Sequence, residues 1–362
     1  MKDGKVLVGV IGSGFARTSH LPGFRACAGA EVLAICSGTR SNAEAAAQQY
    51  CIPHVVSDYE EMMLIEELDL IDVVTPPYLH HPMVMAALEA GKHVLCEKPM
   101  AMNSREAEAM YEKAEDAGVV HLIDHELRFN PTRKRMKDLI DDGYIGRLRN
   151  VALATISNSG RDAYSRRWSW WYQQEKGGGM MGANGSHQID QLRWWFGDID
   201  SVCGRVLTFV KDRAMPASCE MRPVTTDDFN SFLMRFTNGA EGMVFLTSVA
   251  CHTRGSRIEA FGDEGSLILE GDKLRGAQKG QDEFEDLSVP DPAESLDGIL
   301  PNIWSRSFVH LAQHMIDAIR LGKKVDEGAT FYDGMRCQQV MDAVRASCEQ
   351  GRWAATDAAS LT

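Results

Sequence analysis

Over residues 1–125 the chain alternates short apolar runs with amphipathic stretches. The runs are Val6–Ile11, Glu31–Cys36, Leu70–Thr75, His93–Cys96 and Val119–Ile123. Helical patterns separate them at Ala16–Cys27, Asn42–Tyr50, Pro82–Ala90 and Ser104–Ala117. Strand-length runs joined through amphipathic helices predict βαβ units around a parallel sheet. The punctuation agrees. Pro82 suits a first helical turn, Gly91 and Gly118 suit C-terminal caps, and Asn103-Ser104 offers an N-cap.

The rhythm changes after Leu127. Pro131–Asp142 reads as a helix closed by Gly143, Leu148–Ile156 as a strand and Ser186–Phe196 as a helix. Strand-like runs then return at short spacing: Ser201–Val210, Asp228–Phe236, Gly242–Ala250, Arg257–Phe261 and Ser266–Glu270. Thr237-Asn-Gly-Ala240 supplies a hairpin turn between two of them. This pattern predicts a large, mostly antiparallel sheet. Lys211–Thr226 and Gly276–Pro301 read as long loops, and two helices, Trp304–Leu321 and Tyr332–Gln350, end the chain. The expected division is an N-terminal domain over 1–126 and a C-terminal α/β domain over 127–362.

With 362 residues, 44% of them hydrophobic and 25% charged, the chain can bury two cores. A net charge of −13 argues against nucleic acid or an anionic membrane as the main partner. The start resembles neither a signal peptide nor an anchor, and no run approaches the ~18 apolar residues of a membrane span. The nine cysteines show no CxxC spacing, and Cys36, Cys96, Cys203 and Cys251 fall in apolar or strand-like runs. Reduced thiols in a cytoplasmic protein are expected, and no cluster has metal-ligand spacing.

Val8-Gly-Val-Ile-Gly-Ser-Gly-Phe-Ala-Arg17 leaves a strand and enters a helix, the context that gives a glycine-rich loop meaning. Gly12 permits the tight turn, and Gly14 lets backbone approach a pyrophosphate; Phe15 and Ala16 open the helix against which it would rest. This is the reading of a dinucleotide-binding Rossmann domain. Arg17 stands where GxGxxG has its third glycine, so the pattern is incomplete. The second strand ends Ala34-Ile-Cys-Ser-Gly-Thr-Arg40, without the acid that takes a ribose hydroxyl in NAD sites. Ser37, Thr39 and Arg40 suit a 2′-phosphate instead, so NAD or NADP is expected, with NADP favoured.

Two segments follow that carry chemistry. Thr75-Pro76-Pro77 and Glu97-Lys98-Pro99 each leave a parallel strand directly, at the sheet edge where open α/β folds bind ligands. Gly177-Gly-Gly-Met-Met-Gly-Ala-Asn-Gly-Ser-His187 runs into a helix. With Ala-Gly-Lys-His-Val-Leu-Cys-Glu-Lys-Pro99 and Leu127-Arg-Phe-Asn-Pro131, the chain resembles the glucose–fructose oxidoreductase, inositol dehydrogenase and rhizopine-catabolism (Gfo/Idh/MocA) family. The resemblance runs from Val6 to about Phe196 and more loosely beyond. It implies a Rossmann domain plus an α/β domain whose open sheet forms homodimer or homotetramer contacts.

By that resemblance Lys98 matches the family's active-site lysine and His187 its catalytic histidine. The chemistry agrees: an imidazole can take the hydroxyl proton of a secondary alcohol, and an ammonium can stabilise developing alkoxide. The family often carries Asp four residues before the histidine, where this chain has Ala183; Asp190 is near enough to take part of that role. His80, and with it His81, opens a helix at the cofactor edge, with cofactor lining and capping as competing roles. His125 and Arg128 fall at the domain junction, and Arg128 is a candidate for substrate hydroxyls. Asn184 joins His187 in the substrate set. Trp170, Trp171 and Tyr172 could stack on a sugar face or serve as core aromatics. The expected activity is hydride transfer between NAD(P) and a secondary alcohol or ketone of a sugar, cyclitol or glycoside. A glycosidase using bound NAD for transient oxidation, and a ligand-sensing regulator of the same fold, are the alternatives.

Overall fold

The computed structural model describes Met1, residues 4–323 and residues 325–357. It divides into two compact units, Met1–Asn130 with Asp291–Met335, and Pro131–Pro290 with Arg336 onward. Among the described residues no helix is long and apolar enough to cross a membrane.

The first unit is built on six parallel strands: β1 Val6–Ile11, β2 Ala30–Cys36, β3 His54–Val56, β4 Leu70–Val73, β5 His93–Cys96 and β6 His121–Ile123. Their order is β3-β2-β1-β4-β5-β6, so the chain reverses direction across the sheet between β1 and β4. That reversal opens a crevice at the carboxyl ends of the strands. Helices α1 His20–Ala26, α2 Arg40–Tyr50, α3 Tyr59–Met63, α4 His80–Glu89 and α5 Ser104–Ala117 make the crossovers. β1 is buried along its whole length, which is why it reads as a continuous apolar run rather than an alternating one. The expected caps are present: Gly91 and Gly118 take positive φ, and Asn103 accepts from the Glu106 amide.

Two elements were not expected here. β3 is three residues long, too short to show a period, and α3 is a single turn started by Asp58, whose side chain accepts from the Glu60 amide. The helix Ile303–Leu321 also belongs to this unit, where Phe308, Leu311, Ala312, Met315 and Ile316 share a core with Val8, Val10, Leu21 and Phe24. A single cut near residue 126 does not anticipate that return, because an amphipathic stripe shows that a helix is covered without showing by what.

The second unit carries a nine-stranded sheet, flanked by α6 Pro131–Asp141 and α7 Ser186–Phe196. In chain order its strands are β7 Leu148–Ile156, β8 Ile199–Leu207, then, after the hairpin β9 Asp212–Ala214 and β10 Met221–Pro223, β11 Phe229–Phe236 and β12 Glu241–Thr247. β13 Gly255–Gly262, β14 Gly265–Glu270, β15 Lys273–Gln278, β16 Glu285–Asp286 and β17 Ala354–Ala355 complete it. The order is β16-β15-β14-β13-β7-β12-β11-β8-β17. Every pair is antiparallel except β12 with β7. The Asn238-Gly239 turn closes β11 onto β12, with the Phe236 amide donating to the Ala240 carbonyl at 2.9 Å. Alternation puts Phe232, Met234, Val244 and Leu246 into the core with Met136, Ile189, Leu192 and Val340, and leaves Leu233 and Met243 exposed on the opposite face. The two expected long loops hold more structure than foreseen, because β9, β10 and β16 are polar strands of two or three residues without a readable period.

Candidate active site

The glycine loop follows β1 directly. Gly12 has φ +116°, and a Cβ there would lie 2.1 Å from the Val74 carbonyl oxygen, so only glycine passes this close to the end of β4. Gly14 is exposed, with open space where its Cβ would point. Phe15–Arg17 form a 3-10 turn with Ala16 buried beneath it, and α1 begins at His20. Arg17 fits where the motif has glycine because its guanidinium leaves the loop for Gln49, Nη2 to Oε1 2.8 Å, while its carbonyl accepts from Tyr50. Ser13 donates to Ser37 at 2.9 Å, tying the loop to the end of β2. Thr39 precedes α2, and Arg40, its first residue, is exposed and donates from Nε to Glu44 Oε1 at 2.8 Å. The open backbone at Gly14, the helix start and the acid-free end of β2 fit an anionic dinucleotide.

At the ends of β4 and β5 the two proline turns are tied to one another. Thr75 and Pro76 lead into the 3-10 turn Pro77–Leu79. His80 is fully buried, with one ring nitrogen 2.8 Å from the Thr75 carbonyl and the other 3.0 Å from the Pro99 carbonyl. Burial holds its pKa below the ordinary histidine value, against the pull of those carbonyls and of Glu97. It sits between Thr75-Pro76-Pro77 and Glu97-Lys98-Pro99, its one N–H donating to a carbonyl of either turn.

Beneath Lys98 lies a buried ionisable cluster. His20 Nδ1 is 2.9 Å from Asp72 Oδ2, and its Nε2 is 3.1 Å from Glu97 Oε1 and 3.3 Å from Asp124 Oδ2. The other Glu97 oxygen accepts from the Lys98 amide at 3.0 Å. Burial would raise the Glu97 carboxyl, but the hydrogen bond from His20 and the charges of Lys98 and His20 bring it down to about 2. Burial and the Glu97 charge push Asp124 up to about 7. Burial, Asp124 and Glu97 likewise raise Glu126 well above the carboxylate range. His20 itself is pulled well above the ordinary histidine value by Asp72, Asp124 and Glu97, although burial opposes this.

In the second unit Gly177–Gly179 lead into a π-turn over Met181–Gly185 and then α7. Gly179 has φ +109°, and a Cβ there would meet Asp227 Oδ1 at 2.3 Å. Asp227 is half-buried, accepting from the Met181 amide and from Asn230, each at 2.7 Å, so it anchors the approach to α7. His187, in the first turn of α7, is 2% exposed, and Asp190 one turn later is 1% exposed. Asn184 Oδ1 is buried without a hydrogen-bond partner among the described residues, a polar atom a ligand can satisfy. Ala183 is half-buried, and its methyl side chain carries no carboxylate in place of the family's Asp.

The aromatic run and Arg128 are more committed than expected. Tyr172 is buried with the Arg213 guanidinium 4.3 Å from its ring centre, and Arg166 lies 4.4 Å from that of Trp171. The Trp171 carbonyl accepts from the Gly179 amide at 3.0 Å, so the run is fixed to the glycine segment before α7. Arg128, 7% exposed, donates from Nη1 to the Gly328 carbonyl at 3.1 Å and from Nη2 to Asp333 at 2.9 Å. Those bonds tie it to the returning segment 291–335. His20, Asp72 and Asp124 were missed altogether. The available signal was an acid, Asp72, inside the apolar run Leu70–Val73.

Two family models match the chain. Residues 6–125 fit the oxidoreductase family with an NAD-binding Rossmann fold, and residues 134–268 fit the GFO/IDH/MocA C-terminal domain. The chain belongs to the Gfo/Idh/MocA family. It is an NAD-binding oxidoreductase, of the dehydrogenase kind that acts on CH–OH groups. Levoglucosan dehydrogenase of Pseudarthrobacter phenanthrenivorans is 30% identical over 72% of this chain and 73% of its own length. Glucose-fructose oxidoreductase domain-containing protein 2 of Xenopus laevis is 30% identical over 96% of this chain and 92% of its own. Among solved structures, levoglucosan dehydrogenase in complex with NADH and L-sorbose superposes with a TM-score of 0.90 at 27% identity, covering 99% of this chain and all of that one. Glu97-Lys98-Pro99 follows the carboxyl end of β5, and His187 lies in the first turn of α7.

Proposed function

We propose that this protein oxidises a secondary alcohol of a sugar, cyclitol or glycoside, or reduces the corresponding ketone, with Lys98 and His187 as its catalytic residues. The observation that carries this reading is the local setting of Lys98. It leaves β5 at the ligand-binding edge, with its own amide held by an ionised, buried Glu97. A nicotinamide held at this edge would supply the hydride acceptor. The chain's own part is to remove the hydroxyl proton and to offset the charge left on oxygen. His187 takes the proton at an imidazole nitrogen, and the Lys98 ammonium stabilises the developing alkoxide. Asn184, Trp171 and Tyr172 orient the substrate. The sugar-like class is supported by levoglucosan dehydrogenase, whose solved complexes contain NADH with levoglucosan or L-sorbose.

Gly12, Gly14, Phe15 and Ala16 hold the pyrophosphate; Ser37, Thr39 and Arg40 the adenosine ribose; Thr75, Pro76, Pro77, Glu97 and Lys98 flank the nicotinamide half. With no acid at the end of β2, NADP is accepted alongside NAD and favoured by Arg40, which exchanges Glu44 for the 2′-phosphate. Arg40→Ala should weaken NADPH binding much more than NADH binding, by the roughly 1.5–3 kcal/mol of one charge-assisted pair. Titration of cofactor fluorescence measures both, and equal losses would remove Arg40 as the discriminator. The nine free thiols support a reducing cytoplasm, and the sheet face carrying Leu233 and Met243 supports a homodimer or homotetramer. The overall reading is tested by incubating the protein with NAD and NADP and a panel of sugars, cyclitols and glycosides while following 340 nm absorbance. Net cofactor reduction is expected.

A further inference from the structure

His20 is the first residue of α1, and nothing in the reaction as proposed uses it. Its ring is wholly buried, 4.1 Å from the Phe308 ring and 5.6 Å from that of Phe15 in the glycine loop. Both ring nitrogens face carboxylate oxygens, Nδ1 that of Asp72 on β4, Nε2 those of Glu97 after β5 and Asp124 after β6. A neutral imidazole has one N–H, so it would turn a lone pair toward one of these acids. Asp72 and Asp124 each keep a second oxygen that is buried without a hydrogen-bond partner among the described residues. Three buried anions around one ring would leave the cluster at a net charge of −2 even with the imidazole doubly protonated. In a sealed site such a set must share protons. The remaining ionisable groups nearby are Lys98, Glu126, Cys96 and His80, while the helix Ile303–Leu321 contributes the uncharged Phe308.

We propose that His20 is a positioning residue, a buried imidazolium that holds Glu97 ionised and aimed at Lys98, with Asp72 and Asp124 as its hydrogen-bond acceptors. This rests on Lys98 being catalytic. One Glu97 oxygen is held by His20 and the other by the Lys98 amide, so the carboxylate cannot turn without losing one of them. Through Phe15 the same ring also touches the glycine loop, joining the cofactor loop and the lysine to one rigid group.

The test uses the full-length protein, with His20→Gln and Asp124→Asn checked for folding by circular dichroism. Each should lower kcat roughly 10-fold or more while changing the dissociation constant for NADH less than about threefold. Adding His20→Gln to Lys98→Met should cost little further, since the lysine it positions is gone; the full loss repeated in that background would show a merely structural role and overturn the proposal. Nitrogen-15 spectra of the histidine rings should show one ring protonated on both nitrogens at pH 8, absent in His20→Gln. A singly protonated His20 would overturn the proposal even if the variants fold poorly. So would one equivalent of divalent metal lost with His20→Gln, since His20 Nε2, Glu97 Oε1 and Asp124 Oδ2 lie within 4.8 Å of one another. If Lys98→Met keeps its activity, the assignment of Lys98 fails, and the ring spectrum still decides the charge on His20.

Discussion

Lys98→Met should leave the protein folded and reduce turnover by at least ~100-fold. The substitution keeps the aliphatic stem and removes the ammonium. Lys98 is only partly buried, and its backbone amide donates to Glu97, a contact methionine retains. The lost charge matters at the alkoxide, where stabilisation is needed in the transition state more than in the bound alcohol. The loss should therefore fall on kcat and kcat/KM together, with a KM for cofactor near that of the parent. Steady-state kinetics on the best substrate of the panel, with thermal unfolding as the control, measure this. Retention of most activity would remove Lys98 from the mechanism.

His187→Ala should act in the same direction, damaging turnover more than cofactor binding, because the glycine loop belongs to the other unit. Asp190→Asn should cost less than His187→Ala but lower the same parameter, as expected of a group that orients the imidazole or tunes its basicity. Ala183→Asp restores the carboxylate usual in the family at a half-buried position of the π-turn before α7. It should raise the rate where the imidazole is neutral and shift the lower limb of the pH–rate profile to higher pH, since a nearby anion raises the pKa of a histidine and makes it a stronger base. A pH–rate profile of the three variants separates these effects. An unchanged rate in His187→Ala would leave a lysine-centred mechanism and remove the histidine carried over from the family.

The first unit was readable in the sequence because its central strands β1 and β4 are buried along their length and its helices carry their own stop signals, Gly91 and Gly118 among them. β3, β9, β10 and β16 were not, since two or three residues cannot show a period. The return of the helix Ile303–Leu321 to the first unit was also hidden. Its stripe of Phe308, Leu311, Met315 and Ile316 says that something covers it, and only the tertiary contacts say that the cover includes α1. Lys98 and His187 stood out as candidates through their motifs. What lies around them did not, because His20, Asp72, Glu97 and Asp124 come from four separated positions and meet only where β4, β5 and β6 end side by side with α1. The partner of Arg128 was equally hidden, since Asp333 lies 205 residues later.

The central claim is that the protein transfers hydride from a carbinol carbon to NAD(P). Uniformly deuterated levoglucosan, glucose and myo-inositol, incubated in turn with the enzyme and excess oxidised cofactor, test it most directly through the mass of the reduced cofactor. One deuterium per molecule of reduced cofactor, accumulating in step with ketone product from at least one of the three, is the predicted result. Absence of label in the cofactor pool, above all alongside a hydrolysed product, would contradict the account.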